Sequence, residues 1–206
     1  MIISYFGEQF FKISQGDLVV AYNPIGKEAK VSVPTRFGAN VALVSLNDPR
    51  FSGVESVTHG DTVPFVINGA GEYEVKGIDI VGVSSETLLG KEEKINTSYI
   101  VTIDDMKLCL LGGLSDEKSV TDIKAKAGDI DILFLPVGEF MNPSDAQKVA
   151  VLLEPSIVLP MSYDKDSLAK SLVRLGRARI FPRKMANLLA KRRPHQLASL
   201  AHQLSR

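Results

Sequence analysis

The feature that most constrains the fold is a strand–helix–strand pattern between residues 129 and 161. The first segment, DIDILFLPVG, is an apolar strand of the buried kind. The next, NPSDAQKVAVLLEP, predicts a helix with Asn142 as N-cap and Pro143 at the first helical position. A second apolar strand, SIVLPM, follows directly. A βαβ unit of this length predicts two parallel strands with a helix on one face of their sheet.

Residues 1–112 show a succession of strand patterns instead. The segments are ISYF, QFFKI, DLVVAY, VALVS, PFVI, EYEVKGIDIVGV, TSYIVTI and KLCLLG. Turn signals such as Asn23-Pro24 and Asn68-Gly69 separate them. VALVS is apolar on both faces, which predicts a central strand. A β-rich first part followed by a βαβ unit predicts an α/β protein whose sheets are faced by helices.

The length and composition of the chain exclude several classes of protein. At 206 residues it suits one domain with an appendage. A lone cysteine, Cys109, excludes an internal disulfide and a Cys-rich zinc site, and it fits a reducing compartment. The N-terminus shows no secretory signal, and no uncharged apolar run approaches the ~20 residues that span a bilayer. We therefore expect a cytoplasmic protein with no membrane partner.

The formal net charge of zero hides two oppositely charged parts. Residues 164–206 contain 11 Lys and Arg against two acids, which leaves 13 basic and 22 acidic residues in 1–163. The segment after residue 163 also changes to helical patterns rich in leucine and arginine. We predict a globular domain over residues 1–170 and a basic helical extension over 171–206.

The stretch LVSLNDPRFSG, which begins with the end of VALVS, looks built to present polar groups. It offers Asn47, Asp48 and Arg50 among apolar residues, and it contains no histidine. Loops at strand ends often hold catalytic and binding residues. The loop is therefore a plain connection, a site of unfamiliar chemistry, or a site that has lost its chemistry.

Four pieces of sequence, in order, bear on that choice. They are YFGEQFFKI, LVSLNDPRFSGV, the pair GAGEYEV and INTSYIVTIDDMKLCLLGGL, and LFLPVGEFMNPSDAQKVAVLLEPSIVLPMSY. With them the chain resembles the metallo-β-lactamase superfamily over roughly residues 1 to 175, in particular its small bacterial branch related to ascorbate-6-phosphate lactonase. The resemblance implies a four-layer αββα sandwich with a zinc site along one edge of the packed sheets.

The resemblance also implies where zinc ligands would stand. Family members follow a Ser or Thr with His-x-His-x-Asp-His, whose imidazoles and carboxylate hold ions that activate a water. With Ser45 on the family serine, the three histidine positions hold Leu46, Asp48 and Phe51, and the aspartate position holds Arg50. Leucine and phenylalanine cannot ligate, and a guanidinium repels a dication.

Later ligand positions point the same way. The metal-bridging aspartate position holds Gly113, and the final histidine position holds Ser162. The early Gly-His motif reads Gly7-Glu8, and the Asp-Pro after the third strand reads Asn23-Pro24. The resemblance therefore implies the scaffold without its zinc ligands, so no zinc cofactor is expected.

Other residues offer weaker candidates for a site. A hard-metal site from Glu8, Asp48 and Asp116 is conceivable, although Arg50 would share its pocket. His59 is interpreted as a loop residue in THGD. The remaining histidines, His195 and His202, lie seven apart in the basic tail and have no third ligand.

Three further groups have a structural interpretation that we prefer. Cys109 is interpreted as a buried small apolar side chain. The acidic pair Glu72 and Glu74 follows a tight glycine turn and has no metal or histidine beside it. Ser162 has no histidine in a matching motif that would activate it as a nucleophile.

The basic tail has three open interpretations. From residue 171 onward arginine supplies seven of nine basic residues, and no Asp or Glu occurs. Such a segment would neutralise nucleic-acid phosphates, but only Phe181 offers base stacking, so we favour a solvated amphipathic hairpin that docks on the domain. A shift of reading frame near residue 171 is the third interpretation.

Together these observations predict a degenerate member of the family, with no catalytic residues of its own and no bound metal. Its cleft would bind a small ligand or support association into a homo-oligomer. Asp48, Arg50 and Ser162 would line the cleft, with Arg50 holding an anionic ligand. The alternative is a metal-dependent hydrolase of the lactonase or phosphodiesterase class with atypical ligands.

Overall fold

The computed structural model describes residues 1–30, 35–116 and 118–163, which form two stacked β-sheets. The first sheet consists of β1 (Ile2–Gly7), β2 (Phe10–Gln15), β3 (Leu18–Tyr22), β4 (Val41–Leu43) and β5 (Phe65–Ile67), in that order. The second consists of β6 (Gly71–Val75), β7 (Ile78–Leu89), β8 (Glu92–Ile103), β9 (Met106–Leu110), β10 (Ile132–Pro136) and β11 (Ile157–Met161). Its order is β11-β10-β9-β8-β7-β6.

Short helices cover the outer faces of the sheets. Helix α1 (Lys118–Ala127) packs its buried residues against β7 and β8, and helix α2 (Pro143–Leu153) packs against β10. On the first sheet, the described covering consists of loops and a 3₁₀ helix, Val54–Val57. The α/β sandwich predicted from the sequence is confirmed, and its α-helical layer, within the described residues, lies on the second sheet.

Apolar side chains from both sheets fill the space between them. The cluster draws on β1 to β5 from one side and on β6 to β11 from the other. Phe11 meets Phe134 edge to face across the interface, with ring centroids 4.8 Å apart. Because most of the strands contribute alternate residues to this layer, such a strand cannot slip by one position without turning its apolar set to the solvent.

The predicted βαβ unit is present as β10, α2 and β11. The two strands are parallel, with Ile132 paired to Ile157. Asn142 caps the helix, since its Oδ1 accepts hydrogen bonds from the backbone N–H groups of Ser144 at 2.9 Å and Asp145 at 3.1 Å. The central position predicted for VALVS is also confirmed, because β4 lies between β3 and β5 and is parallel to both.

Two elements go beyond the sequence-based prediction. The hairpin of β7 and β8 has strands of 12 residues each and includes the polar stretch SSETLLGKEEKI, one face of which is exposed. Helix α1 was not predicted, although Val120, Ile123 and Ala127 bury one side of it. Both elements have a polar, lysine-rich composition, which obscures the apolar periodicity that predicts a strand or a helix from sequence.

The predicted extension over 171–206 and its boundary at residue 170 lie outside the described residues, as do the helical patterns that begin at Asp164. Among the residues that are described, no helix combines the length and the apolar character needed to cross a bilayer.

The cap of α2 can be tested by the substitution Asn142→Ala. Loss of two backbone hydrogen bonds at the helix start should lower the free energy of unfolding by about 1 kcal/mol. Urea denaturation followed by circular dichroism measures this. Ser144→Ala, in the same turn, leaves the cap intact and should cost clearly less; an equal loss in the two variants would contradict the assignment.

Candidate functional site

The positions singled out in the sequence meet at one edge of the sandwich, where strands of both sheets end. Asn23 follows β3, and Ser45 and Leu46 come shortly after β4. From the second sheet, Gly112 comes shortly after β9 and Ser162 directly follows β11. This is the edge at which the resemblance placed a metal site.

Four buried side chains, Gln9, Asn23, Ser45 and Ser162, form what we call the amide–hydroxyl network. Asn23 Nδ2 donates to Gln9 Oε1 at 3.0 Å and to Ser45 Oγ at 2.8 Å. Asn23 Oδ1 accepts from the backbone N–H of Ser45 at 2.8 Å. Gln9 Nε2 donates to Ser162 Oγ at 2.9 Å and to the Gly112 carbonyl at 3.0 Å. The network is neutral and joins one sheet to the other.

The backbone adapts to this network at two of its members. Asn23 and Ser162 adopt left-handed conformations, with φ of 47° and 51°. Asparagine tolerates this region, whereas serine does so less readily. The backbone N–H of Ser162 donates to the Glu8 carbonyl at 3.0 Å, which holds the turn after β11 against the loop between β1 and β2.

The hydroxyl of Tyr22 lies beside the network but makes no hydrogen bond of good geometry to another described residue. Burial raises the pKa of Tyr22 above its ordinary value, and the nearby Ser45 side chain and Gly112 backbone offset only part of that effect. The phenol therefore stays protonated at physiological pH and cannot serve as a base.

Next to the network, Leu46, Phe51 and Phe140 form a buried cluster that we call the apolar plug. The rings of Phe51 and Phe140 meet edge to face, with centroids 6.0 Å apart. A Cβ atom on Gly113 would lie 2.7 Å from Leu46 Cδ1 and 2.9 Å from Phe140 Cε1. The plug therefore occupies the space that an aspartate at position 113 would need.

Asn96 fixes the loop that contains Gly113. Its Oδ1 accepts from the backbone N–H of Gly113 at 2.7 Å, and its Nδ2 donates to the Leu111 carbonyl and to Ser85 Oγ, both at 3.1 Å. Gly112 has a φ of +64°, and a Cβ there would lie 2.3 Å from Asn96 Oδ1. Gly112 is thus required by its left-handed backbone and by this close packing.

Asp48 and Arg50 lie at the surface of the loop after β4, where carboxylates surround the Arg50 guanidinium. Arg50 Nη1 donates to the two carboxylate oxygens of Glu139 at 2.9 and 3.2 Å, and Arg50 Nε lies 3.5 Å from Asp48 Oδ1. Burial alone would lower the pKa of Arg50. The hydrogen bond and charge of Glu139, with the charges of Asp48 and Glu8, nevertheless raise it.

These residues do not fit zinc. The six positions hold Leu46 and Phe51 in the plug, Asp48 and Arg50 paired with each other, Gly113 without a side chain, and Ser162 in the network. Over residues 1–30, 35–116 and 118–163, no three His, Cys, Asp or Glu side chains come close enough together to hold a metal ion.

The conceivable hard-metal set of Glu8, Asp48 and Asp116 therefore does not assemble. Asp116 is used differently: its carboxylate accepts from the backbone N–H of Ser119 at 2.8 Å and from Ser119 Oγ at 2.9 Å, at the start of α1. That arrangement caps the helix.

The remaining candidates occupy structural positions. His59 is exposed and lies in a loop bridge with Thr62. Burial raises the pKa of the Cys109 thiol to about 12. Glu72 and Glu74 are exposed, while the hydroxyl of Tyr73 donates to the Gly69 carbonyl at 3.1 Å and closes the turn. His195 and His202 lie outside the described residues.

A cavity of about 600 Å³, which we call the edge cavity, opens beside the plug. Its floor includes Ser45 and Leu46, and its walls come from β5 with the turn after it and from the hairpin of β7 and β8. Asp48, Arg50 and Ser162, which were predicted to line a ligand cleft, are not among its lining residues.

Sequence reasoning missed Gln9 and Asn96, the two carboxamides on which the site depends besides Asn23. It searched the matched positions for metal ligands, and neither carboxamide is one. For Asn96 the usable signal is its position: it is a polar residue of β8 whose side chain faces inward, and it pairs with Ser85 on β7. Buried amides of this kind need partners, which indicates a network.

Comparison with known proteins identifies the family of this chain. Residues 2–162 match the family model described as the beta-lactamase superfamily domain, so the chain belongs to that family. Over 99 residues it is 32% identical to a metal-dependent hydrolase of Thermococcus onnurineus (strain NA1). That match covers 46% of this chain and 44% of the relative, so the chain spans less than half of the curated relative it matches.

Solved structures show the same fold. A Thermotoga maritima protein described as a candidate Zn-dependent hydrolase of the metallo-beta-lactamase superfamily is 26% identical, with a TM-score of 0.62 over 79% of this chain and 76% of that one. Igni18, a metallo hydrolase from Ignicoccus hospitalis, is 15% identical, with a TM-score of 0.65 over 87% and 93% of the two chains.

The network predicts the outcome of the substitution Asn23→Asp. A carboxylate removes two donated hydrogen bonds and places a charge inside the sandwich, so the free energy of unfolding should fall by about 1 to 3 kcal/mol at pH 7. Burial without a cation should raise the pKa of the new carboxyl above its unfolded value, so the loss should grow as the pH rises from 4 to 7.

Urea denaturation at both pH values measures the effect. The control is Asn68→Asp, the same change at an exposed position in the turn after β5, where water hydrates the added charge. Full stability of the Asn23→Asp protein at pH 7, or its stabilisation by added zinc, would contradict the description of the network.

Proposed function

We propose that this chain is a member of its family that does not act as a zinc hydrolase and that uses the edge cavity to bind a small molecule. The observation that supports this best is the packing of Leu46 and Phe140 against Gly113, because a side chain at position 113 would meet Leu46 Cδ1 at 2.7 Å and Phe140 Cε1 at 2.9 Å. The space beside Gly113 is not open to solvent, because the side chains of Leu46 and Phe140 fill it.

The chemistry of the remaining donors supports the same proposal. A catalytic zinc needs about three protein ligands, a bound water and room for the substrate. The network offers amides and hydroxyls that are already bonded to one another. Asp48 is the one carboxylate on the loop after β4, and it faces a guanidinium. None of these groups is free to activate a water.

The hydrolase names of the relatives describe those proteins. For this chain, a metal-dependent hydrolase of the lactonase or phosphodiesterase class remains the alternative, which the metal analysis below tests. A cytoplasmic location is part of the proposal, since it fits the buried, free Cys109.

Association between copies of the chain is a second proposed role, favoured by the edge strand β5. Among the described strands, β5 pairs only with β4, and its neighbourhood exposes Val63 (74%), Phe65 (53%) and Val66 (41%). No charged residue lies between Thr62 and Gly71. Unprotected apolar edges of this kind are templates for pairing with another chain.

The main proposal predicts that protein purified without chelator or affinity tag contains no stoichiometric zinc. Plasma mass spectrometry measures the metal, and phosphodiesterase and lactonase assays with added Zn²⁺ or Mn²⁺ should stay at background. The double variant Glu8→Gln/Asp48→Asn removes two carboxylates near the edge and should behave identically. Stoichiometric metal, or activity that the double variant loses, would establish the alternative.

The association role predicts a dimer by sedimentation velocity that the substitution Phe65→Lys converts to monomer, because a charge would be buried in the interface. Val151→Lys is the matched control, since Val151 is equally apolar and 66% exposed but lies on α2. A monomeric parent protein, or equal effects of the two substitutions, would exclude β5 as the interface.

A further inference from the structure

We infer that the edge cavity is built for an uncharged, amphipathic small molecule, rather than for the anion that Arg50 suggested in the sequence. This inference rests on the proposed binding role of the cavity and specifies the chemical class of its ligand.

Apolar atoms supply most of the exposed area of the walls, although several lining residues are polar. In the hairpin, Ser84 pairs with Thr97, and residues directly opposite on antiparallel strands project to the same face. That face, with Ile95 beside it, lines one side of the cavity, and Val54 and Val66 line the other. A volume of about 600 Å³ lies within the range of small-molecule sites.

Three polar side chains of the lining are available to a ligand. Asn47, Asn68 and Ser84 make no side-chain hydrogen bond to another residue in the described part of the chain. Two carboxamides and a hydroxyl donate and accept hydrogen bonds without charge. They therefore suit hydroxyl, amide or carbonyl groups on a ligand.

The charges near the cavity are already compensated. Lys94 is the cation of the lining, and its Nζ lies 2.9 Å from Glu92 Oε2, while Glu93 also lines the cavity. Arg50 is bound by Glu139 and Asp48 and does not line the cavity. An anion entering this space would meet the carboxylates of Glu92 and Glu93 beside the one lysine of the lining, and it would lose part of its hydration.

Two fluorescent probes with the same aromatic body test the inference. N-phenyl-1-naphthylamine is neutral, and 8-anilinonaphthalene-1-sulfonate adds one negative charge. Titration of the full chain at pH 7 should show saturable binding of the neutral probe, at least about tenfold tighter than that of the sulfonate. Absence of saturable binding of the neutral probe, or equal or tighter binding of the sulfonate, would overturn the inference.

A pair of variants locates the binding. Ser84→Trp fills the cavity from an exposed position of β7 and should abolish binding of the neutral probe. Asp79→Trp introduces the same side chain at another exposed position of β7, outside the cavity lining, and should leave binding within about twofold. Thermal unfolding checks that both variants are folded, and equal loss of binding in both would overturn the assigned location.

The result is separable from the test of the proposed function. Metal content and hydrolysis report on the ligand positions around Gly113, whereas probe binding reports on the cavity. A metal-free protein that prefers the sulfonate would overturn the ligand class alone. A zinc-containing protein would overturn the proposed function whatever the probes show.

Discussion

The hydrogen bonds between Gln9 and Asn23, extended to Ser45, Ser162 and the Gly112 carbonyl, join the ends of strands from both sheets. Buried amides are costly unless their donors and acceptors find partners, so this junction tolerates little displacement of any strand end. The turns after β3, β4, β9 and β11 are consequently placed by one set of contacts. In the arrangement that the resemblance implies, metal ligands would gather at the same point.

The network and the apolar plug divide the edge between them. Polar side chains lie where the two sheets meet, and Leu46, Phe51 and Phe140 close the space around Gly113. Charged groups are displaced to the surface, where Arg50 is held by carboxylates on two different loops. The edge is therefore a packed and neutral region, and the space that stays open lies to its side, under the β7–β8 hairpin.

The sequence predicted the class of fold and the βαβ unit because alternating and helical apolar patterns report burial directly. Through the match to known motifs it singled out positions such as Ser45, Gly113 and Ser162, which lie at one edge of the sandwich. It missed α1 and the outer half of the hairpin, whose polar residues hide their periodicity. It also missed Gln9 and Asn96, because pairing of carboxamides from distant segments depends on tertiary contacts that no local pattern contains.

The close approach of Leu46 to Gly113 couples the substitutions that these two positions can accept. An aspartate introduced alone at position 113 would press against the plug, and a histidine introduced alone at position 46 would place a polar ring without a partner among Phe51 and Phe140. Each single step is unfavourable without the others. A metal-bridging side chain at position 113 therefore requires accompanying changes in the side chains of Leu46 and Phe140.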